Sequence, residues 1–220
     1  MTICIFAKEP VPGRVKTRLA ATVGAAAAAR LAAAFLNDTL SLVRTFDVRA
    51  VVAWSGALER APRGVEVWPQ GKGDLGARIE RMFFRALSRS PWTIALGADS
   101  PGLPAEYLRA AIEVLRTSDA VVGPALDGGY YLVGVSRCEP GLLADIAWSV
   151  ASTRAQTVER LVAHGYRVAT VGGWFDVDDA SDLARLTRLL REGVVCAEET
   201  ARELGVLGAA PELLGPRSSE

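Results

Sequence analysis

The side chains with the clearest capacity for chemistry follow a short apolar run in the middle of the chain. Residues Trp92 to Leu103 are WTIALGADSPGL, in which the apolar part predicts a buried strand and Asp99, Ser100 and Pro101 form the turn after it. Ligands of open α/β sheets bind beyond the carboxyl ends of the strands, so Asp99 is the first candidate for a catalytic or metal-binding residue. The alternative is a cap for the next helix, although Pro101 and Pro104 favour a later helix start.

A loop rich in cations follows the first predicted strand, which spans Thr2 to Ala7. The segment KEPVPGRVKTR places Arg14, Lys16 and Arg18 at alternate positions after Gly13. Cations with this spacing on an extended loop project to one side, which suits a di- or triphosphate. The segment is neither a Walker loop nor a G-x-G-x-x-G fingerprint, and a solvated basic loop is the alternative.

A second group of carboxylates lies near the end of the predicted sheet. Asp176, Asp178 and Asp179 follow a predicted strand, as Asp99 does. Hard divalent cations prefer oxygen ligands, and Mg²⁺ typically takes one or two carboxylates together with substrate phosphates. Asp99, Asp176 and Asp178 are therefore candidate ligands for Mg²⁺ or Mn²⁺, while Asp179 is expected to cap the helix that begins near Ala180.

A glycine-rich turn supplies the candidates on the acceptor side. Asp127, Gly128, Gly129 and Tyr130 would present a carboxylate and close backbone amides to a small polar acceptor, which makes Asp127 the second catalytic candidate. A hairpin turn whose tyrosines belong to the core is the alternative. Further candidates for nucleotide binding are the loop residues Lys8, Lys72, Asp74 and Ser100.

These candidates need a scaffold, and the sequence predicts alternating strands and helices. Strands are predicted at residues 2–7, 49–54, 65–68, 92–99, 119–124, 130–135 and 166–171, and helices at 24–44, 75–87, 105–116, 153–163, 180–190 and 198–204. The alternation is typical of βαβ units around a mainly parallel sheet. The connection before Tyr130 is too short for a crossover helix, so the strand that follows should be antiparallel and the sheet mixed.

Composition narrows the class of protein. The 220 residues fit one domain, and 25 basic residues balance 25 acidic ones, so neither a nucleic acid nor a membrane surface is an expected partner. The N-terminus lacks the features of a signal peptide and no stretch approaches the length of a bilayer span, so a cytoplasmic protein is expected.

Cys4, Cys138 and Cys196 are too scattered for a zinc site. His164, the only histidine, lies at a predicted helix end, which argues against a catalytic triad.

Five segments together resemble a known family. In order they are FAKEPVPGRVKTRL, GDLGAR, LGADSPGLP, GPALDGGYYLVG and WFDVDDASDL, and the resemblance spans Ile3 to about Leu190. They resemble DUF2064, a bacterial family of glycosyltransferase-like proteins in the nucleotide-diphospho-sugar transferase superfamily. The resemblance implies a GT-A-like, three-layer α/β/α Rossmann-type fold with the nucleotide over the first strand. It also implies a divalent metal at Asp99, phosphates held by the first-loop cations, and an acceptor beside residues 127–130.

The sequence departs from its relatives at two points. Asp99 is followed by Ser100 and Pro101 where typical GT-A glycosyltransferases have Asp-x-Asp, and the first loop lacks the Gly-Gly pair of typical nucleotidyltransferases. The leading hypothesis is a metal-dependent transfer of a sugar from a nucleotide-diphosphate sugar to a small acceptor. The alternatives are a nucleotidyltransferase that releases pyrophosphate and a non-catalytic nucleotide-binding protein. A single domain is expected over residues 1–220, with a core at 2–192 and a C-terminal helix and tail at 193–220, and a homodimer is left open.

Overall fold

The computed structural model describes residues 1–207, which form one seven-stranded sheet covered by helices. The strands are β1 Thr2–Lys8, β2 Arg49–Ser55, β3 Glu66–Pro69, β4 Thr93–Gly97, β5 Ala120–Pro124, β6 Tyr130–Val135 and β7 Val168–Thr170. Their order in the sheet is β3-β2-β1-β4-β6-β5-β7. β6 is antiparallel to both β4 and β5, and the other pairings are parallel. The predicted mixed, mainly parallel sheet is therefore confirmed.

Seven α-helices connect or flank these strands in the described part of the chain. They are α1 Thr17–Val23, α2 Ala25–Arg44, α3 Leu75–Leu87, α4 Ala105–Val114, α5 Thr153–Ala163, α6 Ala180–Arg191 and α7 Glu198–Leu207. The sequence did not predict α1, nor a 3₁₀ turn at Leu58–Arg60. Gly24, with φ of +82°, separates α1 from α2. Of the C-terminal helix and tail expected at 193–220, residues 208–220 lie outside the described residues.

The core occupies both faces of the sheet. On one face, side chains of α2 and α4 such as Leu36 and Leu108 pack against Ile3 and Ile5 of β1, and all four are almost completely buried. On the other face, α3 and α5 cover β4, β5 and β6 through residues that include Phe83. Fully burying one such side chain contributes about 1.5–3 kcal/mol, which is why each amphipathic helix is fixed against the sheet. The three-layer α/β/α arrangement follows.

Helix α2 corrects the expectation that no stretch approaches a membrane span. By length and composition alone, its 20 residues could cross a membrane. In the structure, 61% of its most apolar 18-residue stretch is buried. Leu31 and Phe35 of this helix pack with Leu19 of α1 and with Phe175 and Val177. A mostly buried core helix passes the same test, so this finding is weak evidence for a span.

The carboxyl ends of six strands lie along one edge of the sheet, because only β6 runs the other way. The buried side chain of Gln70 joins two of these ends by donating to the carbonyls of Ala7 and Ala53, at 3.2 and 2.9 Å. The backbone amide of Val177 donates to the carbonyl of Asp99 at 2.9 Å. The turn after β4 and the acidic run before α6 are therefore held against each other.

Candidate active site

A cavity of about 300 Å³ opens at this edge of the sheet. Its walls are the end of β1, the loop after it, the start of α1 and the turn after β4. Four of the predicted cations line it, together with two of the predicted carboxylates: Lys8, Arg14, Lys16, Arg18, Asp99 and Asp178. Four positive charges against two negative ones favour an anionic ligand.

Lys16 is at the centre of the charged groups in this cavity. Its ammonium lies 3.0 Å from Oδ1 of Asp99 and 2.8 Å from Oδ1 of Asp178, and 5.9 Å from the centre of the Phe35 ring. The Lys16 side chain is only 5% exposed. Burial by itself would lower the pKa of the ammonium, but the two carboxylates outweigh it and raise the pKa above its ordinary value. Lys16 is therefore a fixed positive charge.

The backbone around Lys16 is held in an unusual conformation. Lys16 has φ of 45° and ψ of 47°, the left-handed region, and Gly13 has φ of +77°. A non-glycine residue in this region costs of order 1–3 kcal/mol and persists where the surroundings fix it, often at functional sites. The cations therefore reach one cavity through a tight turn and the first turn of α1, which corrects the expectation of an extended loop.

The other three cations of the cavity have different surroundings. Arg18 pairs with Oδ2 of Asp179 at 2.7 Å although its side chain is 71% exposed. The Lys8 ammonium donates to the backbone carbonyl of Arg14 at 2.7 Å, which braces the loop. Within the described residues, the Arg14 side chain forms no ion pair. Arg14 is therefore the cation most available to a ligand.

The three aspartates before α6 have separate roles. Asp179 accepts hydrogen bonds from the amides of Ser181 and Asp182 and forms a capping box with Asp182, so its predicted role as a cap is confirmed. Asp178 contacts Lys16. Asp176 is mostly buried and accepts a hydrogen bond from the hydroxyl of Ser100. Burial raises the pKa of Asp176 to about 6, with the negative charge of Asp99 acting in the same direction and the Ser100 hydrogen bond opposing it.

The predicted ligand set Asp99, Asp176 and Asp178 does not fit a resident divalent cation. Among residues 1–207, no three His, Cys, Asp or Glu side chains are arranged to hold a metal ion. Asp99 and Asp178 are both engaged by the ammonium of Lys16, and Asp176 is turned to Ser100. In this structure a lysine therefore takes up the charge that the sequence assigned to a metal, and the role of the three carboxylates as metal ligands stays a prediction.

Several predicted residues lie outside the cavity of Lys16. Asp74 caps α3 by accepting from the amide of Ala77 at 2.8 Å, and the carbonyl of Lys72 accepts from Arg81 at 2.9 Å. Ser100 lines a second cavity of about 320 Å³, which lies between α2, the end of β4 and the start of α7. No local pattern in the sequence indicates this second cavity, because its walls come from three distant segments.

The turn on the predicted acceptor side is held by a hydrogen bond and by a close backbone approach. Asp127 Oδ1 accepts from the amide of Gly129 at 2.8 Å, and Gly128 has φ of +90°. A Cβ on Gly128 would lie 2.2 Å from the carbonyl oxygen of Ala151. The Tyr130 hydroxyl is buried without a hydrogen-bond partner among the described residues. This geometry agrees with the hairpin alternative, and an acceptor role for residues 127–130 stays a prediction.

Sequence reasoning missed two residues that shape the edge. Gln70 joins β1 and β2, and Tyr131 donates from its hydroxyl to the carbonyl of Gly172 at 2.8 Å. Gln70 follows a predicted strand and precedes the GKGD turn. A polar side chain at the end of a strand was the only feature of the sequence that could have indicated its role. Tyr131 gave none, because its partner is 41 residues away in the chain.

The fold and the cation-lined edge define the class of this protein. It has the α/β fold of nucleotide-diphospho-sugar transferases, the architecture of the solved structures that it resembles. Residues 30–150 match the family described as an uncharacterized protein conserved in bacteria, DUF2064, and the chain belongs to this family. No functionally curated protein matches the sequence.

Solved structures share the fold of this chain. A protein of Desulfovibrio desulfuricans G20, provisionally named a nucleotide-diphospho-sugar transferase, is 30% identical, with 94% of this chain and 95% of that chain covered and a TM-score of 0.86. Rv0371c of Mycobacterium tuberculosis H37Rv is 23% identical over 84% of this chain and 95% of that one, with a TM-score of 0.53. The 2-C-methyl-D-erythritol 4-phosphate cytidylyltransferase of Thermus thermophilus is 21% identical over 86% and 98%, also with a TM-score of 0.53. At these lower identities the likeness shows the fold alone.

Proposed function

We propose that this protein transfers a sugar from a nucleotide-diphosphate sugar to a small acceptor. The observation that carries the proposal is the clustering of Lys8, Arg14, Lys16 and Arg18 around one cavity at the carboxyl ends of the strands. Ligands of open α/β sheets bind at this edge. The relative from Desulfovibrio desulfuricans, with its provisional name, supports the same class of donor.

The cations have a direct role in this reaction. When the bond between the anomeric carbon and the diphosphate breaks, negative charge develops on the leaving nucleoside diphosphate. Arg14 can contact a phosphate with two parallel N–H bonds, and Lys16 supplies a point charge fixed by Asp99 and Asp178. Charges held in place before the reaction stabilise the transition state without reorganisation. Arg18 and Lys8 extend the positive surface at the cavity mouth.

The acceptor is proposed to bind beside the turn at residues 127–130. The Asp127 carboxylate is exposed and is oriented by a hydrogen bond from the Gly129 amide, so it is proposed as the base that takes the proton from an acceptor hydroxyl. None of these four turn residues lines the donor cavity, so the diphosphate of the donor and the acceptor are proposed to contact different residues. No step is assigned to the predicted Mg²⁺ or Mn²⁺, because Lys16 holds both carboxylates that would bind it.

A nucleotidyltransferase is the second candidate. The observation that favours it is the likeness in fold to a cytidylyltransferase and to a synthetase solved with CTP, each of which covers more than four fifths of this chain. The same four cations would then bind a triphosphate, and pyrophosphate would leave. The two candidates differ in the product: a nucleoside diphosphate for sugar transfer and pyrophosphate for nucleotidyl transfer.

The test is to replace Arg14 and measure ligand binding and product formation. Calorimetric titration with UDP, GDP and dTDP sugars, and with CTP, GTP and ATP, identifies the ligand. Arg14→Ala should weaken its binding about ten- to a hundredfold, the value of one or two charge-assisted hydrogen bonds, without loss of stability. Arg63→Ala is the matched control, because Arg63 is an exposed arginine outside the cavity. Unchanged binding in Arg14→Ala would contradict the proposed site.

A further inference from the structure

The feature that points beyond the proposed reaction is an ammonium between two carboxylates. Asp99 and Asp178 are 79 positions apart in the sequence, yet Oδ1 of each lies within 3.0 Å of the Lys16 Nζ. Two carboxylates that face one cation at the end of a strand form the arrangement that the sequence predicted for Mg²⁺ or Mn²⁺. In this protein the cation is part of the chain.

We infer that Lys16 is the resident cation of the Asp99–Asp178 pair and excludes divalent cations from it in the free protein. A metal ion that bridged the same two Oδ1 atoms would have to take the volume of the Lys16 Nζ. A metal ion beside the ammonium would be repelled by it, in a region where burial weakens the screening by water.

Burial of Asp99 and Asp178 is not what keeps divalent cations from them. The side chains of Asp99 and Asp178 are 55% and 46% exposed, so a hydrated ion can reach both. The Lys16 side chain is 5% exposed and lies over the Phe35 ring. Its backbone is fixed in the left-handed region by the turn. The ammonium is therefore the obstacle, and it cannot leave the pair without losing both ion pairs.

Removal of the ammonium should create a site for a divalent cation. With the ammonium gone, the Oδ1 atoms of Asp99 and Asp178 would face each other across the volume that the Lys16 Nζ now fills, with no positive charge between them. A divalent cation relieves that repulsion with oxygen ligands, which it prefers. This inference concerns the free protein and does not depend on which substrate the cavity takes.

The test is a titration of the free, full-length protein with Mn²⁺ alone, followed by electron paramagnetic resonance and calorimetry. The wild-type protein should show no saturable binding at Asp99 and Asp178, so that Asp99→Asn changes nothing. Lys16→Met should bind one Mn²⁺ at least about tenfold more tightly than the wild type, because one repelling charge is gone. The gain should disappear in the double variant Lys16→Met with Asp99→Asn.

Two further variants keep the inference testable. Lys16→Gly removes the same charge and suits the left-handed backbone, so it covers the case in which Lys16→Met does not fold. Lys8→Met is the matched control, because it removes a lysine of the same cavity that does not contact the carboxylates, and it should bind no Mn²⁺. Saturable Mn²⁺ binding by the wild type that Asp99→Asn abolishes would overturn the inference, as would folded Lys16 variants without a gain. Because no nucleotide is used, neither outcome decides the proposed transfer reaction.

Discussion

Replacement of Asp176 by Asn should stabilise this protein at neutral pH. Asp176 is mostly buried, and its pKa is raised from 3.8 to about 6, chiefly by burial. At pH 7 the folded protein must nevertheless hold this carboxylate ionised. One pH unit of pKa displacement is worth about 1.4 kcal/mol, so ionisation costs the folded state about 3 kcal/mol, as an order of magnitude. Asparagine avoids that cost and still presents an oxygen to the hydroxyl of Ser100.

The sign of the effect follows from the direction of the pKa shift. Below the unfolded-state pKa of 3.8, Asp176 is protonated in both states and costs nothing. As the pH rises from 3.8 to about 6, the unfolded chain ionises while the folded state stays protonated, so the folded state loses stability until both are ionised. The benefit of Asp176→Asn should therefore grow between pH 4 and pH 7 and then level off. The pKa of Asp176 already includes its attraction to Lys16, but the buried amide group of asparagine needs a hydrogen-bond partner, so about 3 kcal/mol is an upper value.

The assay is urea denaturation of wild-type and variant protein at a series of pH values across this range. Asp47→Asn is the matched control, because Asp47 is exposed and accepts no hydrogen bond within the described residues, and it should change stability little at any pH. A variant that is less stable than the wild type at pH 7 would refute the reasoning. So would a stabilisation that is the same at pH 4 and pH 7, because burial of an ionised carboxylate could not then be its cause.

Two further changes test the predicted acceptor side and the packing that supports it. Gly128→Ala introduces a Cβ 2.2 Å from the Ala151 carbonyl oxygen at φ of +90°, so we expect a loss of about 1–3 kcal/mol in urea denaturation and a raised acceptor KM, with donor affinity unchanged by calorimetry. An equal loss of donor affinity would contradict the proposal that donor and acceptor contact different residues. Tyr131→Phe removes the hydrogen bond to the Gly172 carbonyl and should cost about 1 kcal/mol of stability in the same denaturation assay.

The elements of this fold were largely predictable because they depend on local patterns. Helix α3 begins and ends at the predicted residues, Leu75 and Leu87, since its apolar side chains recur at helical spacing and Asp74 caps it. The antiparallel direction of β6 followed from the length of the connection before it. Helix α1 was missed because its seven residues lie between a basic turn and Gly24, and the basic residues predicted a loop.

The sequence by itself determined which residues are available for chemistry, and the tertiary structure decided what they contact. Composition and spacing identified the cations after β1 and the aspartates after β4 and before α6 as the groups at one edge of the sheet. Only the fold paired Lys16 with Asp178, 162 positions away, and turned Asp176 to Ser100. Local spacing predicts strands and turns, because these depend on neighbouring residues. Whether a carboxylate meets a metal or an ammonium depends on which distant segments the sheet order places together.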